Sequence, residues 1–313
     1  MPRQPLQRIH SITVARRYFI DRQTKSQIAE ALNISRFRVA RIIDEAIEQG
    51  LVKFVIAEQE DIDTSLSVRL QNKFGLKNAL VLAGSTAQTS DAITASLGGL
   101  AASLLEEMLQ PHTHVGVAWG RVLSATADAL TRLPALDVVQ IAGAHAGLEF
   151  SQNSIDLVHR IASIGKGTPH PIYVPMWVED ESTAKHLMCE PSVSKVLDRY
   201  DNLDVLITGI GSWHPPASCL YSTFPTDWRN AALAAGACAD ICTTIINAEG
   251  DVIPSELGRL GLAITAEQIR KVPEVIAIAG GLDKCNGIAA VLKGNWITTL
   301  VTDAVVAAKL LEN

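Results

Sequence analysis

The sequence predicts a mostly parallel α/β domain preceded by a small all-α helix-turn-helix head, and three observations carry that reading. Beyond residue 63, short Val/Ile/Leu runs alternate with helical patterns, the signature of βα units. Several of those runs lead directly into glycine, as in Gly116-Val-Ala-Trp-Gly120, Ala142-Gly143-Ala144, Gly209-Ile-Gly211 and Ala279-Gly280-Gly281. The first 55 or so residues show capped helical periodicity instead. With 313 residues, 48% hydrophobic and 19% charged, the chain has core enough for two domains, and its composition excludes disorder.

From Gln7 to Ile20, apolar residues at Ile9, Ile12, Val14, Ala15, Tyr18 and Phe19 recur with roughly helical period, until Asp21-Arg22-Gln23 breaks the pattern. Thr24 is a good N-cap with Gln27 at the capping-box position, opening a short helix to Leu32. Asn33 suits a left-handed turn, and Ile34 can plug the space between helices. Ser35 caps a third helix to about Gln49, which Gly50 stops. Lys53–Ala57 (KFVIA) reads as a short strand leaving the head, and Glu58–Asp63 (EQEDID) as an acidic linker. The expected domains are thus 1–57, a linker at 58–63, and 64–313.

The strands expected in the body are Ala79–Ala83, His114–Ala118, Val138–Ala142, Val205–Thr208, Thr243–Ile246, Val275–Ala279 and Thr298–Val301. Ligands of such folds gather at the carboxyl ends of the strands. The Ala92–Leu105 stretch, interrupted by polar residues and glycines, falls short of the ~20 apolar residues of a membrane span. The N-terminus carries no apolar segment of the secretory kind, and five scattered cysteines without a C-x-x-C fit a reducing compartment, so a cytoplasmic location is expected.

The net charge of −6 hides an asymmetry, because residues 1–53 hold ten Lys or Arg against five Asp or Glu, a surplus of +5 that leaves −11 on the other 260 residues. A basic head on an acidic body suits a local polyanion contact. On the third helix, Val39, Ile42, Ile43, Ala46 and Ile47 form one apolar stripe at 100° per residue, with Phe37 and Arg41 nearly opposite, Arg38 on the flank and Arg36 in the first turn. No acid occurs there before Asp44. Arginine can take guanine bidentately and an exposed Phe can meet a thymine methyl, while Thr24 and Gln27 are placed to bond phosphate oxygens. The same residues would serve a packing module with a solvated basic face. The two capped helices, the turn and a Phe between arginines favour a major-groove reader of operator duplex.

In the body, Gly116–Arg121 (GVAWGR), with Trp119 and Gly120 in the loop, suits an anion at a helix N-terminus but lacks the dinucleotide fingerprint. Gly280-Gly281-x-x-Lys284 places a lysine one helical turn beyond a glycine turn. Asp240, among small and apolar residues, needs a partner such as a sugar hydroxyl or a backbone donor. Asp303 reads as an N-cap, His112-x-His114 as surface histidines, and Cys238-x-x-x-Cys242 as packing. Gly209-Ile-Gly-Ser212 only faintly echoes a nucleophile elbow. No metal or cofactor is expected.

Along essentially its whole length the chain resembles the SorC family of bacterial sugar-responsive transcriptional regulators. The matching segments run from Ser26-Gln-Ile-Ala29 through Ile34-Ser35-Arg36, then Asp44-Glu-Ala46 through Gly50-Leu-Val52, and Lys73-Phe-Gly-Leu76. They continue with Gly116–Arg121, Val139-Gln-Ile-Ala-Gly143, Gly236–Asp240, Gly280–Lys284 and Leu300-Val-Thr-Asp303. The resemblance implies an effector domain similar to ribose-5-phosphate isomerase and glucosamine-6-phosphate deaminase, repurposed for sensing. It further implies a sugar, polyol or sugar-phosphate effector and a homodimer or homotetramer that does not act as an enzyme. By similarity, Gly116, Trp119, Gly120, Arg121, Gly143, Asp240, Gly280, Gly281 and Lys284 would line the effector site. Two positions depart from the family pattern. Val122 stands where relatives place Thr or Ser, and Ala142 stands where some carry a Schiff-base lysine, which implies non-covalent binding. The alternative is a sugar-phosphate isomerase or deaminase with an accessory helical module. It would need a base to accompany Asp240, and no clear one is offered. A nucleotide-binding structural subunit is disfavoured by the missing P-loop.

Overall fold

A computed structural model describes residues 5–52, 61–84, 89–144 and 154–312. The chain forms two compact units, Met1–Ala57 and Glu58–Asn313.

The head consists of α1 (Pro5–Phe19), α2 (Lys25–Leu32) and α3 (Arg36–Glu48). Thr24 and Gln27 form the reciprocal capping box, and Asn33 ends α2 in the left-handed region at φ 52°. Ser35 accepts from the Arg38 N–H at 3.2 Å and so starts α3. Val14, Ile28, Ala29, Val39, Ile42 and Ile43 make the core, with Tyr18, Phe19, Leu32 and Ile34 packed around it. Burial of each large aliphatic contributes roughly 1.5–3 kcal/mol. Ile47 departs from the expected stripe: it is exposed, at the edge of the face that α1 and α2 cover. Ile9 and Ile12 of α1 are exposed as well. The expected strand Lys53–Ala57 lies outside the described residues.

The body alternates strands and helices. Its elements run α4 (Thr64–Phe74), β1 (Asn78–Leu82), α5 (Ser90–Met108), β2 (His114–Val117), α6 (Arg121–Ala129), β3 (Asp137–Gln140), α7 (Ser154–Ile164) and β4 (Thr168–His170). There follow α8 (Glu181–Cys189), α9 (Pro191–Leu197), β5 (Val205–Trp213), β6 (Pro216–Ala217), α10 (Cys219–Thr223), α11 (Thr226–Ala234), β7 (Ala239–Ile241) and β8 (Thr244–Ile246). The chain closes with α12 (Glu256–Leu260), α13 (Ala266–Lys271), β9 (Glu274–Ile278), α14 (Cys285–Lys293), β10 (Thr299–Asp303) and α15 (Ala304–Glu312). Seven strands pair in parallel in the order β1-β10-β9-β5-β2-β3-β4, and β6 and β7 join the far half of β5 antiparallel, with β8 beyond β7.

Three features differ from the expectations. The described end of the acidic linker belongs to the body, since Ile62 bridges Leu82 and Asp63 N–H donates to the Val81 carbonyl at 2.8 Å, covering the β1 edge. Next, β5 does not stop at Thr208. Gly209 and Gly211 sit inside the strand, where Gly211 pairs with Asp240 of β7. Finally, β4, β6 and β7 are each two or three residues long, too short for a period-2 pattern to register.

Two of the glycines expected at the ligand site serve packing instead. Gly116 lies in the middle of β2, where a Cβ would meet Leu203 at 2.8 Å and Ile141 at 2.9 Å. Gly143 donates to the Leu262 carbonyl at 2.8 Å, and a Cβ there would fall 2.3 Å from the Pro175 carbonyl oxygen. That neighbour is backbone and cannot yield cheaply. Gly143→Ala therefore destabilises the body by roughly 1–3 kcal/mol, visible as a lower melting temperature. An unchanged melt would mean that the Pro175 backbone can move aside for the added methyl.

Candidate functional site

In the head, α3 presents two faces. Val39, Ile42, Ile43 and Ala46 are buried, whereas Arg36, Phe37, Arg38 and Arg41 are exposed. Phe37 is 88% exposed. Arg41 is steadied by Glu45 one turn on, Nε to Oε1 at 3.4 Å, with its side chain 72% exposed. Thr24 and Gln27 are exposed, but the Gln27 Oε1 is taken by the Thr24 backbone N–H at 2.9 Å and the Thr24 Oγ1 accepts from the Gln27 N–H at 3.3 Å. Their side-chain oxygens thus close the helix end before they can serve anything outside.

In the body, a cavity of about 550 Å³ opens at the carboxyl ends of β2 and β9 and beside the middle of β5. It brings together seven expected residues from three distant segments: Trp119, Gly120 and Arg121, then Asp240, then Gly280, Gly281 and Lys284. Gly116 and Gly143 are not among its walls. The first turns of α5 (Ser90, Ile93, Thr94, Leu97) and the start of α10 complete it.

Asp240 is the centre of the polar wall. It is 7% exposed, and its Oδ1 accepts from Trp213 Nε1 at 2.7 Å and from the Ser218 hydroxyl. Gly211 makes this possible, because a Cβ there would lie 2.2 Å from that same oxygen. Burial pushes the carboxyl above its ordinary range, while the two hydrogen bonds and Lys284 pull the other way. The Lys284 Nζ donates to the Ile210 carbonyl at 2.9 Å. Burial lowers its ammonium below the usual lysine range, with Asp240 opposing. Opposite charges in one cavity, the lysine holding one protein partner and the carboxylate two, suit a neutral polyhydroxyl ligand that accepts from the amine and donates to Asp240.

The rim suits an anion or a hydroxyl cluster. Gly120, at φ 113°, starts α6 with no side-chain cap, so the first N–H groups of that helix keep no intrahelical acceptor. The Arg121 guanidinium sits 3.8 Å from Asp91 on the exposed side. Val122 fills the next position with an isopropyl group near Gly209. Asp303 caps α15 through the Val306 N–H at 2.9 Å, as its sequence position implies, and also accepts from the Gly281 N–H at 2.7 Å, locking the glycine turn.

Sequence reasoning did not single out Trp213, Ser218 or Thr208. The only local signal for the first two was the Gly209-x-Gly211 spacing, which marks a backbone that another group must approach closely. Cys242 also lines the cavity, buried against Thr208, with burial pushing its thiol up to about 12. Among the described residues, no cluster of three His, Cys, Asp or Glu could hold a metal ion, and no helix is long and apolar enough to cross a membrane.

Comparison with known proteins places this geometry. The family model described as "Putative sugar-binding domain" matches residues 61–312. The sorbitol operon regulator of Klebsiella pneumoniae is 28% identical over 96% of this chain and 97% of its own length. The deoxyribonucleoside regulator of Bacillus subtilis is 24% identical over 97% of each chain. The crystal structure of the full-length Klebsiella regulator superposes with a TM-score of 0.75 at 26% identity, covering 97% of this chain and 99% of that one. A sugar-binding body joined to a helical head is the architecture of a transcription factor that senses a metabolite, not of an enzyme. The chain belongs to the SorC family of sugar-binding transcriptional regulators.

The Asp240 site has a direct structural check. Gly211→Ala drives the carboxylate off its seat and strips Trp213 and Ser218 of their acceptor. A loss of roughly 1–3 kcal/mol follows from the unpaired buried donors, read from denaturant melts. Unaltered stability would mean the carboxylate has room to move that the geometry denies.

Proposed function

We propose that this protein controls a carbohydrate catabolic operon in the cytoplasm, with its head on operator duplex and its body gated by reversible binding of a sugar, polyol or sugar-phosphate. The observation that carries the reading is the meeting of Asp240, in the middle of β7, and Lys284, in the turn before α14, in one cavity of monosaccharide scale. Sugar hydroxyls offer both donors and acceptors, which such a pair can order. An anionic substituent, if the effector bears one, would face Arg121 and the uncapped start of α6. Binding would be non-covalent, since Ala142 has no amine and the Lys284 amine already serves the Ile210 carbonyl.

Control would be exerted through a homodimer or homotetramer, whose paired heads require matched half-sites. An effector changes occupancy only by binding one arrangement of that oligomer more tightly than another, and equal affinity shifts nothing. The head's local surplus of positive charge supports a salt-dependent phosphate contact.

Two measurements bear on this. Titrating duplex against salt should show affinity falling steeply with ionic strength, and Arg38→Ala or Arg41→Ala should each cost about 1–3 kcal/mol where the side chain meets a base. If both variants bind operator as tightly as wild type, α3 does not face the duplex. Across a panel of sugars, polyols and their phosphates, one compound should raise the melting temperature with concentration. Lys284→Ala should lose that shift, and lose effector control of DNA binding, while basal DNA affinity survives. Equal shifts in variant and wild type would remove Lys284 from the site.

A further inference from the structure

Phe37 stands out on the head. It is 88% exposed, takes no part in the hydrophobic core, and sits about 170° around α3 from the centre of the buried Val39, Ile42, Ile43 and Ala46 stripe. Arg36 and Arg38 adjoin it, and Arg41 lies one turn on along the same outward stripe, steadied by Glu45. The Ser35 cap fixes the first turn that carries Phe37, so the ring projects from a rigid base. A benzyl group held in water on a rigid helix calls for an apolar partner, and its setting restricts which one. A protein's apolar patch would have to desolvate three arginines around the ring. A DNA duplex supplies phosphates to the arginines, and the apolar feature it displays in the major groove is the 5-methyl group of thymine.

We propose that Phe37 is a specificity-determining residue that reads a thymine methyl in each half-site, with the arginines around it anchoring the backbone and neighbouring bases. The proposal rests on the operator-binding reading and adds to it the identity of one recognised group.

The test separates the two. Duplexes bound by the full-length protein are selected from a randomised library. Each thymine of the selected site is then replaced singly by uracil, which removes the methyl and leaves the hydrogen-bonding edge intact. Affinities are measured by fluorescence anisotropy for wild type and for Phe37→Ala, with circular dichroism melts of both. At one thymine per half-site, uracil should weaken wild-type binding roughly fourfold to tenfold, the scale of losing one buried methyl contact. Phe37→Ala should melt like wild type, bind the thymine site more weakly, and be indifferent to uracil at that position alone. A wild type insensitive to uracil everywhere overturns the proposal while leaving operator binding standing, as does a Phe37→Ala variant that keeps the uracil penalty. A ring wedged between base steps of the minor groove would give the first of these results. Failure to enrich any duplex would overturn the operator reading itself.

Discussion

The body is organised around a single buried carboxylate. Taking Asp240 out of water costs several kcal/mol unless donors replace its hydration, and the fold supplies them from Trp213 and Ser218. Each donor commits a piece of architecture. The indole belongs to the far end of β5, which must run on past its parallel partners to deliver it. Ser218 is the cap of α10, so the same hydroxyl that meets Asp240 also accepts from the Tyr221 N–H at 3.2 Å and sets where that helix begins. Gly211 opposite Asp240 leaves the space that the carboxylate occupies. The antiparallel extension of an otherwise parallel sheet is what these requirements have in common.

That arrangement also leaves function available. Trp213 and Ser218 both bond Oδ1, and the carboxylate as a whole lines the cavity. Lys284 is tied to a backbone carbonyl but lies close enough to Asp240 for each to bias the other's charge state. A site in which opposite charges are separated and individually restrained is ready for a ligand that bridges them. Asp303, by pinning the Gly281 N–H, holds the lysine-bearing turn in place from the neighbouring strand.

Charge is divided between the units as their surfaces require. The first half of α3 carries Arg36, Arg38 and Arg41 around Phe37 with no acid before Asp44, and α1 adds as many cations in Arg8, Arg16 and Arg17. The body is acidic, and Asp240 lies buried within it. Ile47 shows the limit of reading a helix by its apolar residues alone. It was read into the apolar stripe, yet at 100° per residue it lies about 90° from the centre of the buried face and is exposed, although its neighbour Ala46 is buried. Much of the head was nonetheless legible, since the Thr24 box, the Asn33 turn and the Ser35 cap depend on neighbours within a turn of chain.

The amino-acid sequence by itself determined the helices of the head, the partition of charge, the strand cores of the body and the glycine turns at Gly120 and Gly280-Gly281. Caps, periodicity and turn preferences act over about four residues, so a linear reading contains them. The tertiary structure alone decided which glycines serve the cavity and which, like Gly116 and Gly143, make room for Leu203, Ile141 or the Pro175 backbone. It also decided that Asp240 would find Trp213 and Ser218, residues 27 and 22 positions away. How near a Cβ or a carboxylate comes to another segment depends on sheet order and register, and these emerge only when distant strands pack together.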